Sequence, residues 1–194
     1  MVTQAETKTL YTPEEYLEFE IDSDIRHEYN NGEIIPMTGG TPNHNRISGN
    51  LYIALSLSLK REPYETFHVD QRLWIPATES YAYPDVMVLP KPIELQMGRK
   101  DTVVNPCFIA EVLSLSTQNY DRGKKFVAYR SIPTFQEYLL IDQYEIHVEH
   151  HVRTAVNQWL FSEYDDPTVT LSFHTFEFQV QIADLYENID FLES

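Results

Sequence analysis

Two apolar stretches in the middle of this chain, PDVMVL at residues 84–89 and CFIAEVL at residues 107–113, carry a single charge each. In both it is an acid, Asp85 in the first and Glu111 in the second. Short runs rich in Val, Ile, Leu and Phe, bounded by turn residues, read as strands of a sheet covered on both faces. A carboxylate enclosed in such a strand costs several kcal/mol unless it is paired or bound to a cation. The fold must therefore bring each acid a partner. Neighbouring strands could present both acids to one Mg²⁺, which takes one or two carboxylates and keeps water in its other positions. The plainer alternative has Asp85 capping a turn after Pro84 and Glu111 paired with an arginine, and spacing alone favours it.

The surrounding segments frame those strands. TFHVDQRLWI, residues 66–75, reads as a third strand. Ahead of it, TPEEYLEFE predicts a helix with Thr12 as N-cap, Pro13 at the first helical position and Glu15 completing a capping box. RHEYNNGE predicts a hairpin turn at Asn30, Asn31 and Gly32 leading into the strand EIIPM, and TGGTPNHN is a loop by composition. From Ile47, apolar residues at Leu51, Ala54, Leu55 and Leu59 mark a core-facing helix that ends before Pro63. Beyond the two acids, Asp121 to Ser131 reads as a helix, and FQEYLLID with EIHVEHHVR as a hairpin about Gln143 and Tyr144. The tail predicts strand near Leu171 to Val180 and a short helix near Ile182 to Asn188. Helix, strands, helix, strands is an α/β or α+β order. With no repeat or long linker, residues 1–194 read as one domain, of a length that buries roughly 70% of the unfolded surface.

The single cysteine, Cys107, excludes an internal disulfide and, lying in an apolar run, reads as a buried structural thiol. MVTQAETKTL lacks the basic start and apolar stretch of a secretory signal, and no apolar run reaches the about 20 residues of a membrane helix. The expectation is a cytosolic protein with no membrane partner. A net charge of -16 repels a polyanion on average. It counts against nucleic-acid binding unless a local basic strip or a bound divalent cation reverses the field.

One basic strip follows Glu111 closely. In DRGKKFVAYR, Asp121, Lys125 and Tyr129 fall at i, i+4 and i+8 on one helix face, while Lys124 points about 100° away. A lysine brought back to the end of the Glu111 strand could position a nucleophilic water and stabilise charge building on a phosphate. The competing reading is a surface ion pair worth a few tenths of a kcal/mol.

Taken in order, RHEYNNGEIIPMTGGTPNHN, YPDVMV, FIAEVLS and YDRGKKFVAYRSIPTFQEYLLID resemble the Uma-type family of restriction-endonuclease-like proteins, a branch of the PD-(D/E)xK nuclease superfamily. The resemblance is strongest over residues 11–142. It implies a restriction-endonuclease-like mixed central sheet flanked by helices, and hydrolysis of DNA phosphodiesters with Mg²⁺ or Mn²⁺. Asp85 and Glu111 would be the metal ligands, Lys125 the catalytic lysine and Glu28 a further acid beside them. His44 and Gln71 would be substrate contacts, His44 with an equal alternative as a helix cap and Gln71 as a strand-edge amide. DNA would be the partner, and a homodimer is expected by analogy with nucleases that cut both strands. The pattern departs from the superfamily at Leu113, where the lysine of ExK should stand, and Lys125 would be that lysine migrated to the next helix. The alternative is a catalytically silent member that uses the fold to bind a protein or a nucleic acid. His147, His150 and His151 alternate badly for a metal site and read as a solvated hairpin.

Overall fold

The computed structural model describes residues 10–37 and 39–191. The reading of the first nine positions as free of a targeting signal lies outside them. The chain opens with helix α1 (Pro13–Ile21), closed by the expected capping box: Thr12 Oγ1 accepts from Glu15 N at 3.2 Å, and Thr12 N donates to Glu15 Oε2 at 2.7 Å. Strands β1 (His27–Asn30) and β2 (Glu33–Pro36) form the predicted hairpin. Its two turn residues, Asn31 and Gly32, have φ of 48° and 89°, the left-handed pair that a tight hairpin demands.

Helix α2 (Pro42–Ser58) starts earlier than its apolar stripe suggests. Thr41 caps it and Pro42 opens it, so the PNHN part of the expected loop is its first turn. The single strand expected at residues 66–75 is two, β3 (Tyr64–His68) and β4 (Arg72–Ile75), in different sheets. The chain switches sheets through Val69, whose φ of 47° breaks the extended backbone. There follow β5 (Ser80–Ala82), β6 (Val86–Pro90), β7 (Thr102–Val103) and β8 (Phe108–Leu113). A helical stretch then runs through α3 (Gln118–Tyr120), a π-helical turn (Asp121–Lys125) and α4 (Phe126–Tyr129). It leads to β9 (Glu137–Asp142), β10 (Val148–Ala155) and β11 (Gln158–Tyr164). The tail forms a small hairpin of β12 (Thr170–Ser172) and β13 (Gln179–Gln181), then α5 (Ile182–Leu185).

Among the described residues, the main sheet has the order β11-β10-β9-β8-β6-β3, and a second sheet has the order β2-β1-β5-β4-β7. The main sheet is mixed: β8 runs antiparallel to β6 and parallel to β9. That parallel pair requires a crossover, which is the α3, π and α4 stretch. Strand alternation divides β8 between two cores. Phe108, Ala110 and Val112 face a layer built by Ile47, Leu51 and Leu55 of α2 and by the phenylalanines of the tail. Ile109 and Leu113 face Leu73 and Ile75 of the second sheet, Tyr129 of α4 and Phe135 beyond it. Each large side chain so enclosed contributes about 1.5–3 kcal/mol. Glu111 alternates onto this second face, where its partners are Lys125 of the π-helical turn, Tyr129 of α4 and the main-chain amide of Asp85.

The histidine group is not a solvated hairpin. His150 is 2% exposed, and its Nε2 lies 2.6 Å from Oε1 of the fully buried Glu137. The backbone amides of His174 and Thr175 also donate to Glu137, because the tail folds over this part of the sheet. His151, on the opposite face, packs on Phe126 and Phe161.

Candidate active site

Asp85 stands directly before β6 and Glu111 lies on β8. The register that pairs Val86 with Ala110 sets the two acids side by side. Main-chain amides hold both: Val112 N donates to Asp85 Oδ2 at 2.8 Å, and Asp85 N donates to Glu111 Oε2 at 3.3 Å. Glu28 arrives from β1 of the second sheet, where Tyr83 N donates to its Oε1 at 3.3 Å. The site therefore sits where the two sheets meet.

Lys125 comes from the crossover. Its Nζ is 3.0 Å from Glu111 Oε1, 3.2 Å from Glu28 Oε1 and 3.4 Å from Asp121 Oδ1. Tyr129, one turn on, donates its hydroxyl to Glu111 Oε1 at 2.7 Å. In an ideal α-helix, residues four apart drift by about 40° around the axis. The π turn takes up an extra residue and winds that drift back, which keeps Asp121, Lys125 and Tyr129 on one face. The partner of Glu111 is thus a lysine and not an arginine. The guanidinium of Arg72 lies instead by Glu20, Asp101 and Tyr83. Leu113, at the position where ExK carries lysine, is 1% exposed in the apolar cluster.

His44 lies in the first turn of α2, which Thr41 caps. Its imidazole turns inward, with Nε2 3.2 Å from Asp85 Oδ2. Gln71 does not line the site. Its amide donates to the carbonyls of Asp101 and Arg72 beside β7, as a strand-edge amide would. Sequence reasoning missed Gln143, which is 1% exposed and ties the site together. It donates to Leu113 O at 2.7 Å and accepts from the Thr41 hydroxyl, fastening the start of α2 to the end of β8. Position 143 reads only as a hairpin residue, and nothing in its sequence neighbourhood marks the bond. Ser114 and Thr117, whose hydroxyls meet at 2.9 Å, also border the site.

These groups line one open cavity of about 550 Å³, with Glu28, Asp85, Glu111, Asp121, Lys125 and His44 in its wall. Its electrostatics follow from burial. Enclosure pushes the Glu111 carboxyl up to about 8; Lys125 pulls it down, and Asp85, Asp121 and Glu28 push it further up. Burial alone would make Lys125 easier to deprotonate, but Glu111 and Glu28 hold it well above the ordinary lysine range. For His44, burial works downward, and the bond to Asp85 outweighs it and leaves the imidazole raised. The cluster thus crowds four carboxyl groups around one firmly protonated ammonium.

Among the described residues, no three His, Cys, Asp or Glu side chains gather closely enough to enclose a cation. The donors present are two carboxylates, one at the entry to β6 and one on the neighbouring β8, facing an open cavity. That set fits Mg²⁺, which keeps several waters, better than Zn²⁺ with its cage of Cys and His or Ca²⁺ with its six to eight oxygens.

A family model described as "Putative restriction endonuclease", Uma2, matches residues 13–184. The chain belongs to the Uma2 family. Two Synechocystis proteins resemble this Uma2 chain along most of their length. "Uncharacterized protein sll1609" is 45% identical over 163 residues, covering 84% of this chain and 92% of that protein. "Uncharacterized protein slr1290" is 36% identical over 155 residues, covering 79% and 80%. Among solved structures, the Uma2 chain resembles "a putative nuclease belonging to DUF820 from Anabaena variabilis ATCC 29413". The TM-score is 0.73 at 18% identity, covering 91% of this chain and 97% of that one, a likeness of fold. The mixed sheet with flanking helices expected from the sequence is present, and this fold is shared with that solved structure. No helix among the described residues is long and apolar enough to cross a membrane.

Proposed function

We propose that this Uma2 protein is a metal-dependent endonuclease that hydrolyses DNA phosphodiesters at the cavity where its two sheets meet. The observation that carries the reading is the convergence of Asp85, at the entry to β6, and Glu111, on the neighbouring β8, with the Lys125 ammonium 3.0 Å from Glu111. Two acids enclosed this way demand positive charge, and the single lysine leaves the cluster short of it.

Asp85 and Glu111 would hold Mg²⁺ or Mn²⁺ through their carboxylates. The ion, when bound, supplies the Lewis acidity that polarises a phosphodiester and makes a water nucleophilic near neutral pH. Lys125 is a preorganised donor: its ammonium can orient that water and stabilise the charge that develops on the phosphate. Asp121 and Glu28 hold Lys125 protonated and in place. His44 contacts Oδ2 of Asp85, the oxygen that Val112 N also holds, and faces the cavity, where a phosphate oxygen can take up its bond. The lysine thus serves from the helix in the role that Leu113 leaves vacant on the strand. Two such sites are needed to cut both strands of a duplex, so a homodimer belongs to the same reading.

The test is nicking of supercoiled plasmid and cleavage of single-stranded DNA with Mg²⁺ or Mn²⁺. Asp85→Ala should abolish cleavage, and Lys125→Ala should reduce it by about 10²-fold or more, as removal of one transition-state donor does. Cleavage that survives Asp85→Ala would place the chemistry elsewhere. A second reading has one specific support, that Lys125 already contacts three carboxylates and acts as an internal counter-ion. In that case the fold is a catalytically silent binding module. An inactive wild type that shows no metal binding by calorimetry would select it.

A further inference from the structure

A second cavity, of about 590 Å³, lies behind the candidate active site, and Tyr120 and Lys125 line both. Tyr120 is the partition. Its ring stands 6.0 Å from Lys125 Nζ, and its hydroxyl accepts from Asn30 Nδ2 at 2.9 Å. The volume lies within the roughly 300–1,000 Å³ of small-ligand sites. Tyr29, Tyr81, Ile75 and Ala82 of the second sheet close one side, and Val127 and Ala128 of α4 the other. Tyr29 and Tyr81 are stacked against the fully buried Tyr16, which makes that side rigid. The polar groups are few and lie together: the amides of Asn30 and Asn31, the hydroxyls of Thr78 and Ser80, and the exposed Lys124.

We propose that this cavity receives one unpaired base of the DNA strand whose neighbouring phosphate lies at Asp85 and Glu111, so that cleavage is directed to single-stranded or distorted DNA. The proposal rests on the nuclease reading of the adjoining site. The half-buried Tyr120 offers a ring for a base to stack on, backed by the apolar wall, and the exposed Asn31 amide beside the Thr78–Ser80 hydroxyl pair suits its hydrogen-bonding edge. Lys124 adds an exposed cation beside the strand in a protein whose overall charge repels DNA. An intact duplex cannot offer the face and edge of one base to a concave wall without unpairing it, a cost that single strands and mismatches escape.

The test measures binding of a single-stranded oligonucleotide carrying one 2-aminopurine, with Ca²⁺ in place of Mg²⁺, by anisotropy and by quenching of the 2-aminopurine. Ala128→Trp fills the cavity. Asn31→Gly removes an amide where φ is 48° and glycine keeps the turn. Melting temperatures confirm that both variants fold. Stacking of one base is worth roughly fivefold to more than a hundredfold in affinity, so Ala128→Trp should weaken binding about tenfold and abolish the quench. Asn31→Gly should weaken it less, by about threefold. No quench with wild type, or wild-type binding by both folded variants, would overturn the proposal. So would a free nucleoside monophosphate that binds as tightly as the oligonucleotide and is lost in Ala128→Trp, because the cavity would then serve a free nucleotide. Nicking is scored separately: Asp85-dependent nicking without a quench sinks the base pocket and leaves the nuclease, and a quench without nicking keeps the pocket and sinks hydrolysis.

Discussion

Replacing Lys125 by methionine keeps the length of the side chain and removes its charge, leaving Glu111, Glu28 and Asp121 without their shared cation. At an effective dielectric constant of about 20, ion pairs at these separations are worth about 5 kcal/mol apiece, offset by several kcal/mol of desolvation for each ion. Removing one partner from a buried pair typically costs about 3–5 kcal/mol, because the remaining charge stays enclosed. The side chain of Lys125 is 11% exposed and that of Glu111 4%, so little of that cost is recovered from water. For a chain of this size the expected loss is roughly 6–20 °C in melting temperature. The deficit should depend on pH. Glu111 already binds its proton at about 8, above its ordinary 4.5, and loss of Lys125 pushes it higher. A carboxyl raised in the folded state contributes stability that is full below 4.5 and fades as pH rises through the folded value. The variant should therefore be nearest to wild type at pH 5 and furthest from it at pH 9. Differential scanning fluorimetry across that range reads both effects, and Mg²⁺, if it binds Asp85 and Glu111, should raise the variant's midpoint more than that of wild type. Equal melting at every pH would show that the ammonium does not compensate these acids, and the account of the site would fail with it.

Gly40→Ala would place a Cβ 2.9 Å from His44 Nδ1, so the ring must leave its place beside Asp85. Cleavage should fall to the level of His44→Ala while stability drops by only about 1 kcal/mol, since the displaced atoms are side chains; unchanged cleavage would free His44 of any role. Burial works to raise the Glu137 carboxyl, but the bonds from His150 and Thr175 hold it below its ordinary 4.5. The stability it lends is present above 4.5 and is lost as pH falls through the folded value. Glu137→Gln should thus be less stable than wild type at pH 7 and show a smaller decline below pH about 4.5 in urea titrations; parallel pH profiles would refute this. Burial pushes the Cys107 thiol up to about 12, and its Sγ donates to Val88 O at 3.3 Å. A thiol reagent at pH 8 should label it only after unfolding, and labelling of the native protein would contradict that placement.

The strands that carry the acids were legible because their composition admits little else. A run such as CFIAEVL has no polar face to show to water, and β8 is buried at every position. The split at Val69 was not legible, since TFHVDQRLWI keeps a strand composition across the break and only the demand for a second sheet turns the chain there. The start of α2 was missed for a related reason. Its first turn lies on the polar rim of the site and shows no apolar period, although Thr41 and Pro42 are an ordinary cap and opening pair.

The same physics divides the site into what the sequence shows and what it hides. Asp85 and Glu111 stand out because charge inside an apolar strand is costly, and Lys125 stands out because it shares a helical face with Asp121 and Tyr129. Each of these is an energetic anomaly or a periodicity, and both survive in a one-dimensional string. Gln143 and His150 are neither. Each is a polar residue at the end of a strand or within a hairpin, where polar residues are common, and each becomes buried only because a distant segment folds over it: Thr41 at the start of α2 for Gln143, the tail at His174 and Thr175 for His150. Gln143 is held by a backbone carbonyl and a hydroxyl, groups that almost any sequence supplies, and His150 by the Glu137 carboxylate, which only the pairing of β9 with β10 brings to it. A cluster held together by charge is therefore announced in advance by the cost of its charges, whereas the neutral hydrogen bonds that fix its geometry become visible only when the chain has closed around them.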